Sequence, residues 1–141
     1  MMVETDVLYA FIKKSDWLKP LADELILKIK NGEFGIVYAP RETLHEIYYV
    51  SAEEKVSVDE LISRVAALTS IDNLVFLNTT VEIDLLALVI MRQYGVTSIF
   101  DAYYAATALN QVSDHTVIST DEVFDKIPGL TRIHPRELLA N

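Results

Sequence analysis

At 141 residues the chain fits one domain around one core. With 51% hydrophobic residues it holds enough apolar surface to offset the entropy of ordering, which excludes a disordered or linker-like protein. Twelve Lys+Arg against 21 Asp+Glu leave a formal charge of −9, a field that repels nucleic acid unless a bound cation or a local basic patch reverses it, and the lack of cysteine excludes disulfides, thiolate zinc sites and a cysteine nucleophile.

Taken in chain order, residues 2–5 read as a first strand, 7–13 as a short helix and 18–31 as a longer one that Asn31-Gly32 stops. Residues 35–38 form a second short strand. Pro40 suits the first turn of a helix reaching about residue 50. Ser51 to Glu54 and Ser57 to Glu60 both have the form of a capping box, the second opening a helix to residue 69. A third strand over 73–77 follows. Thr79 to Glu82 is another capping box, and the helix it opens is apolar on nearly every face to Met91, so it is expected to be the most buried. Tyr94-Gly95 ends that helix, Ser98 caps one running to residue 110, residues 116–119 form a fourth strand and 131–133 a fifth before a turn at Pro135.

Short strands alternating with helices predict a single α/β domain over residues 1–141, with helices on both faces of a short, mainly parallel sheet. No apolar run approaches the roughly 18 residues that span a bilayer, and no secretory leader pattern opens the sequence, so a soluble, cytoplasmic protein without a membrane partner is expected. In open parallel sheets, sites form beyond the C-terminal strand ends. Asp6 follows the first strand, Glu46 lies in the helix after the second, Asp101 opens a later helix and Asp121 follows the fourth strand.

Each acid has a plain structural alternative. Asp6 suits a helix cap, Asp101 completes a capping box with Ser98, Glu46 suits the solvent border of its helix with Glu42 a turn earlier as its rival, and Asp121 suits an Asx-turn with Asp125 as a substitute. If the four converge, their mutual repulsion raises their pKa values, and a hard divalent cation relieves it. An all-oxygen donor set points to Mg²⁺ or Mn²⁺ rather than zinc. On that argument, neutralising one acid, as in Asp6→Asn, is expected to raise the melting temperature in metal-free buffer. His45, His115 and His134 share no metal-ligand spacing, and no Walker, G-x-G-x-x-G or G-x-S-x-G motif occurs.

Thr5-Asp6, Leu44-His45-Glu46, the stretch Phe100-Asp101-Ala102-Tyr103-Tyr104-Ala105-Ala106-Thr107-Ala108, and Ile118-Ser119-Thr120-Asp121-Glu122-Val123-Phe124 together resemble the motifs of the PIN domain, the fold of VapC-type toxins. The resemblance implies a PIN-like three-layer α/β/α architecture and a metal-dependent endoribonuclease whose products carry 5′-phosphate and 3′-hydroxyl ends. It places Asp6, Glu46, Asp101 and Asp121 at the family's acidic positions, with Thr5 and Thr120 beside them and Thr107 in the helix core. Glu4 interrupts what is usually an apolar first strand, and Val7 stands where many relatives carry a small polar residue.

The resemblance further implies RNA as substrate, a homodimer, and an antitoxin as partner. Among candidate substrate-binding residues Arg41 comes first, with Thr120, and with Lys13, Lys14 and Arg92 as further cations. The pairs Tyr48-Tyr49 and Tyr103-Tyr104 each place one ring off the core-facing stripe, suited to packing at an interface before base stacking. Two other readings remain: a catalytically degenerate PIN-like binding or scaffold module, and a metal-dependent phosphatase. The phosphatase needs a D-x-D that Asp6-Val7-Leu8 does not supply.

Overall fold

The structure is a computed structural model describing residues 1–140; Asn141, the last residue of the expected domain, lies outside the described residues. Five strands, β1 (Met2–Val3), β2 (Val37–Pro40), β3 (Leu74–Leu77), β4 (Thr116–Ile118) and β5 (Thr131–Ile133), form one sheet in the order β3-β2-β1-β4-β5. All neighbours run parallel. Seven helices connect them: α1 (Thr5–Ile12), α2 (Lys19–Lys30), α3 (Glu42–Glu53), α4 (Val58–Thr69), α5 (Val81–Tyr94), α6 (Ile99–Gln111) and α7 (Pro135–Leu139), with a 3₁₀ helix at Glu122–Lys126.

The period-two alternation of a strand splits the core between the two faces of the sheet. Val3, Val37, Ala39 and Ile118 pack with Leu8 of α1, Leu25 and Ile29 of α2, Ile47 of α3 and Leu68 of α4. Met2 and Val117, the neighbours of Val3 and Ile118, turn the other way onto Ile83, Ala87 and Ile90 of α5 and onto Ala102, Tyr104 and Ala105 of α6. The expected three-layer α/β/α architecture is the one observed.

Several local expectations fail for identifiable reasons. The first strand stops at Val3 rather than residue 5, because the Glu4 carboxylate accepts the Asp6 N–H and caps α1, which starts two residues early. Gly35 has φ +66°, so the second strand begins two residues late, and pairing with β3 carries it through Pro40, which ends the strand instead of opening the helix. Helix α3 runs through Ser51, whose buried hydroxyl accepts from Arg64 at 3.2 Å instead of capping a new helix. Thr80, not Thr79, caps α5, while the Thr79 hydroxyl donates to Glu42.

The largest departure is α5. Val81, Leu85 and Leu88 are 69%, 61% and 56% exposed, and only its opposite face is buried. The most buried helix is α6, whose run Tyr104 to Ala108 is wholly interior; its alanines offer the small profile that lets helix and sheet approach closely. No single helix among the described residues is long and apolar enough to cross a membrane.

Candidate active site

Asp6 lies in the first turn of α1, just past the C-terminal end of β1, and both of its oxygens are held. Its Oδ1 accepts the Val7 N–H at 2.7 Å, while Oδ2 accepts the Thr120 N–H at 2.8 Å and the Thr120 hydroxyl at 2.5 Å. Thr120 follows β4, so these bonds tie the β1–α1 junction to the neighbouring strand end. The N–H and hydroxyl of Thr120 thus both orient the Asp6 carboxylate.

Glu46, in the middle of α3, is held by the interior of the protein. Its Oε1 accepts from the Tyr104 hydroxyl at 2.9 Å, and Tyr104 accepts from the Thr5 hydroxyl at 2.8 Å, with the Thr43 hydroxyl a further 3.1 Å from that of Thr5. Thr43 and Tyr104 are fully buried and Thr5 nearly so. Burial first, then the charge of Glu46, pushes the Tyr104 phenol far above its ordinary value, so it stays a donor to Glu46 at any working pH. The second tyrosine of the pair is thus the inward one, spent on the acid rather than on packing alone.

Asp101 sits in the first turn of α6, where its N–H donates to Ser98 Oγ at 3.4 Å. Burial, and then the charges of Asp121, Glu46 and Asp6, push its carboxyl up from 3.8 to about 7. The three other acids named from sequence are therefore close enough to Asp101 to perturb it, from three other parts of the chain. Asp121 caps the 3₁₀ helix by accepting the Val123 N–H at 2.9 Å, and its own N–H donates to Ser119 Oγ at 2.9 Å.

The two rival acids are committed elsewhere. Asp125 makes a two-point pair with Arg132 at 3.1 and 3.0 Å. Glu42 accepts from Thr79 and pairs with His45 at 3.0 Å; burial pushes its carboxyl up, but those two partners outweigh it and hold it below the usual range. His134 caps α7 through Nδ1, so neither it nor His45 joins the four acids.

Sequence reading missed Glu4. Its carboxylate is buried, accepts the Asp6 N–H at 3.0 Å and the Ser119 hydroxyl at 3.3 Å, and is pushed well above the usual range by burial first and then by Asp6. The available signal was an acid two positions before Asp6 in an otherwise apolar run.

None of Glu4, Asp6, Glu46, Asp101 and Asp121 has a Lys or Arg within ion-pair distance among the described residues. Uncompensated carboxylates of this kind suit a hard divalent cation in charge and in donor type. No three His, Asp or Glu side chains among the described residues stand close enough to share one ion as they lie. Asp6 and Glu46 are instead turned toward internal donors. The match is thus one of charge and chemistry, with the last approach left to side-chain rotation.

Around this edge the cations are sparse. Arg41 is exposed at the β2–α3 junction and in no ion pair among the described residues, Lys13 is paired with Asp16 and Glu54, and Lys14, just past α1, and Arg92, near the end of α5, are exposed. A groove of about 500 Å³ lies alongside between α3 and α6, lined by His45, Tyr48, Tyr49, Ile99, Phe100 and Tyr103.

The PIN domain family model matches residues 1–130. Among solved structures, VapC20 of Mycobacterium tuberculosis, a sarcin-ricin loop cleaving toxin, is similar with a TM-score of 0.69 at 15% identity, over 86% of this chain and 89% of that one. VapBC2 of Rickettsia felis, bound to a DNA fragment from its promoter, gives 0.70 at 15% identity over 94% and 98%. A toxin-antitoxin complex from Klebsiella pneumoniae gives 0.62 at 17% identity over 95% and 96%. No curated protein sequence matches the chain.

Proposed function

We propose that this chain, which belongs to the PIN domain family, is a Mg²⁺- or Mn²⁺-dependent endoribonuclease and the toxin of a VapBC-type toxin–antitoxin pair. The observation that carries the reading is the Asp101 carboxyl, pushed up to about 7 by burial and by Asp121, Glu46 and Asp6 with no basic side chain to answer them. Asp6, Glu46 and Asp101 would hold the ion, with Asp121 as the fourth acid. A divalent ion bound there supplies a water of lowered pKa and offsets the charge that builds on a phosphodiester under in-line attack.

The chain's own residues do the rest. Thr120 and Val7 fix the Asp6 carboxylate, Tyr104 fixes Glu46, and Arg41 presents a positive charge to the RNA backbone in a protein whose overall field is repulsive. No side chain forms a covalent bond to substrate. A second copy of the chain and an antitoxin are the partners this reading includes; the exposed Val81, Leu85 and Leu88 of α5 support a buried partner surface. The separation of the carboxylates favours one competitor, a PIN-like binding module without catalysis.

The test is cleavage of a mixed RNA pool with Mn²⁺ or Mg²⁺, beside an EDTA control. Cleavage that needs the ion supports the enzyme; an intact pool in every lane leaves the binding module. Two neighbouring substitutions locate the fourth acid. Asp125→Asn is expected to keep the wild-type rate, since Asp125 bonds only Arg132, a pair worth about 0–1 kcal/mol of stability. Asp121→Asn is expected to lower the rate about tenfold or more. Equal rates for the two would remove Asp121 from the site.

A further inference from the structure

Aromatic rings left in water forfeit the gain of burial, so a cluster of them at the surface marks a place that another molecule covers. Tyr48 and Tyr49 of α3 are 52% and 59% exposed, and they line the groove of about 500 Å³ with Ile99, Phe100 and Tyr103 of α6. The rings form a connected run. Tyr104, whose hydroxyl donates to Glu46, lies stacked against Phe100 with 6.5 Å between centroids; Phe100 meets Tyr49 at 6.0 Å, and Tyr49 meets Tyr48 edge-on at 5.7 Å. The groove also shares its two helices with the acids, since His45 in its wall precedes Glu46 and Phe100 precedes Asp101.

No Lys or Arg among the described residues lines the groove, whereas Glu42 does, and the chain as a whole carries −9, so a phosphate finds no partner there. A nucleobase is flat and uncharged, and every base has a π face that stacks on a ring whatever the surrounding field. We infer that the groove seats unpaired bases of an RNA strand that passes the acidic edge, with Tyr49 and Phe100 as the stacking surface. This rests on the proposed function for its substrate class, but on neither the ion nor the cleavage step. In a duplex the base faces are already stacked on one another, so the groove takes single-stranded RNA. Stacking then supplies the affinity that the sparse cations of this edge do not, while the aliphatic Val81, Leu85 and Leu88 of α5 are left to a protein partner.

The experiment measures binding of a short fluorescein-labelled single-stranded RNA by fluorescence anisotropy in EDTA, for the wild type, Tyr49→Phe and Tyr49→Ala, beside the same oligomer with abasic riboses. Tyr49 is more than half exposed, so its truncation leaves the fold intact. Tyr49→Phe keeps the ring face and is expected to stay within about twofold of wild type. Tyr49→Ala is expected to bind about 5- to 150-fold more weakly. The abasic oligomer should bind the wild type weakly and lose little more with Tyr49→Ala, since its backbone has nothing to stack. Raising NaCl from about 0.1 to 0.5 M should change the wild-type affinity by less than about tenfold, because stacking releases few counterions; a steeper fall assigns the binding to phosphate contacts and overturns the inference. So does an unchanged Kd in Tyr49→Ala, an equal loss in the Phe and Ala variants, or a wild type that binds no RNA. A dimer that falls apart in Tyr49→Ala on sedimentation, with RNA affinity intact, gives the groove to a second copy and overturns it too. Ring-dependent binding by a protein that leaves RNA uncut with Mn²⁺ sinks the nuclease and keeps the groove; cleavage by Tyr49→Ala at the wild-type KM sinks the groove and keeps the nuclease.

Discussion

Asp101→Asn is expected to abolish measurable RNA cleavage, a loss of at least about a hundredfold, while making the metal-free protein more stable at pH 8. The two effects have one cause. Burial and three neighbouring acids raise the Asp101 carboxyl from 3.8 to about 7 in the folded chain, so folding opposes its ionisation. Well below pH 3.8 it is protonated in both states and the substitution is neutral; between 3.8 and about 7 the unfolded state has lost the proton that the folded state keeps, so the penalty on the wild type grows across that range and is complete above it. The full shift corresponds to about 4 kcal/mol. Because the group is partly open to solvent and counterions, about 1–3 kcal/mol is the better expectation, or roughly 3–10 °C in melting temperature. Thermal melts of both proteins in EDTA at pH 4, 6 and 8 check it, and coincident curves at pH 8 would deny that the carboxylates meet. Added Mn²⁺ should reverse the order, since the wild type gains more from binding than a variant short of one ligand.

The sequence places that stabilisation at Asp6, and the hydrogen bonds of Asp6 move it to Asp101. Asp6 accepts three hydrogen bonds through two oxygens; an asparagine there keeps one oxygen and brings an NH₂ group to face a donor. Asp101 carries no such duty among the described residues. From sequence both are acids at a strand end or a helix start, and which of them is strained depends on donors 114 residues away in the chain.

What was legible follows the same division. The parallel α/β layout is carried by local periodicity, and the caps Ser57 and Ser98 and the stops at Gly32 and Gly95 obey short-range rules. The acidic residues that perturb one another were identified from motif order, whereas the supports beneath them were not. Glu4 reads as a flaw in a strand until Ser119 is seen beside it, and Tyr104 reads as packing until its hydroxyl is seen at Glu46. The burial of α5 was overstated because an all-apolar helix looks alike whether it faces the core or an open surface; the alanines of α6 take the inner place and leave Val81, Leu85 and Leu88 outside.

Tyr104 is where packing and chemistry converge, and its two truncations separate them. Tyr104→Ala empties a fully buried site between α6 and the sheet and should cost about 3–5 kcal/mol. A loss of that size is a large share of the stability of a domain this small. Tyr104→Phe keeps the ring and removes only the hydroxyl, leaving the Thr5 hydroxyl with Thr43 as its remaining partner and Glu46 without its donor, at about 1–3 kcal/mol. Denaturant unfolding measures both values. The phenylalanine protein should also cleave RNA about tenfold more slowly, because Glu46 then rotates free of the single bond that holds its Oε1. Adding Glu46→Gln to Tyr104→Phe should slow cleavage little beyond Glu46→Gln alone, since the tyrosine acts only through that carboxylate. Full additivity of the two losses would mean that Tyr104 supports the reaction by a route other than Glu46.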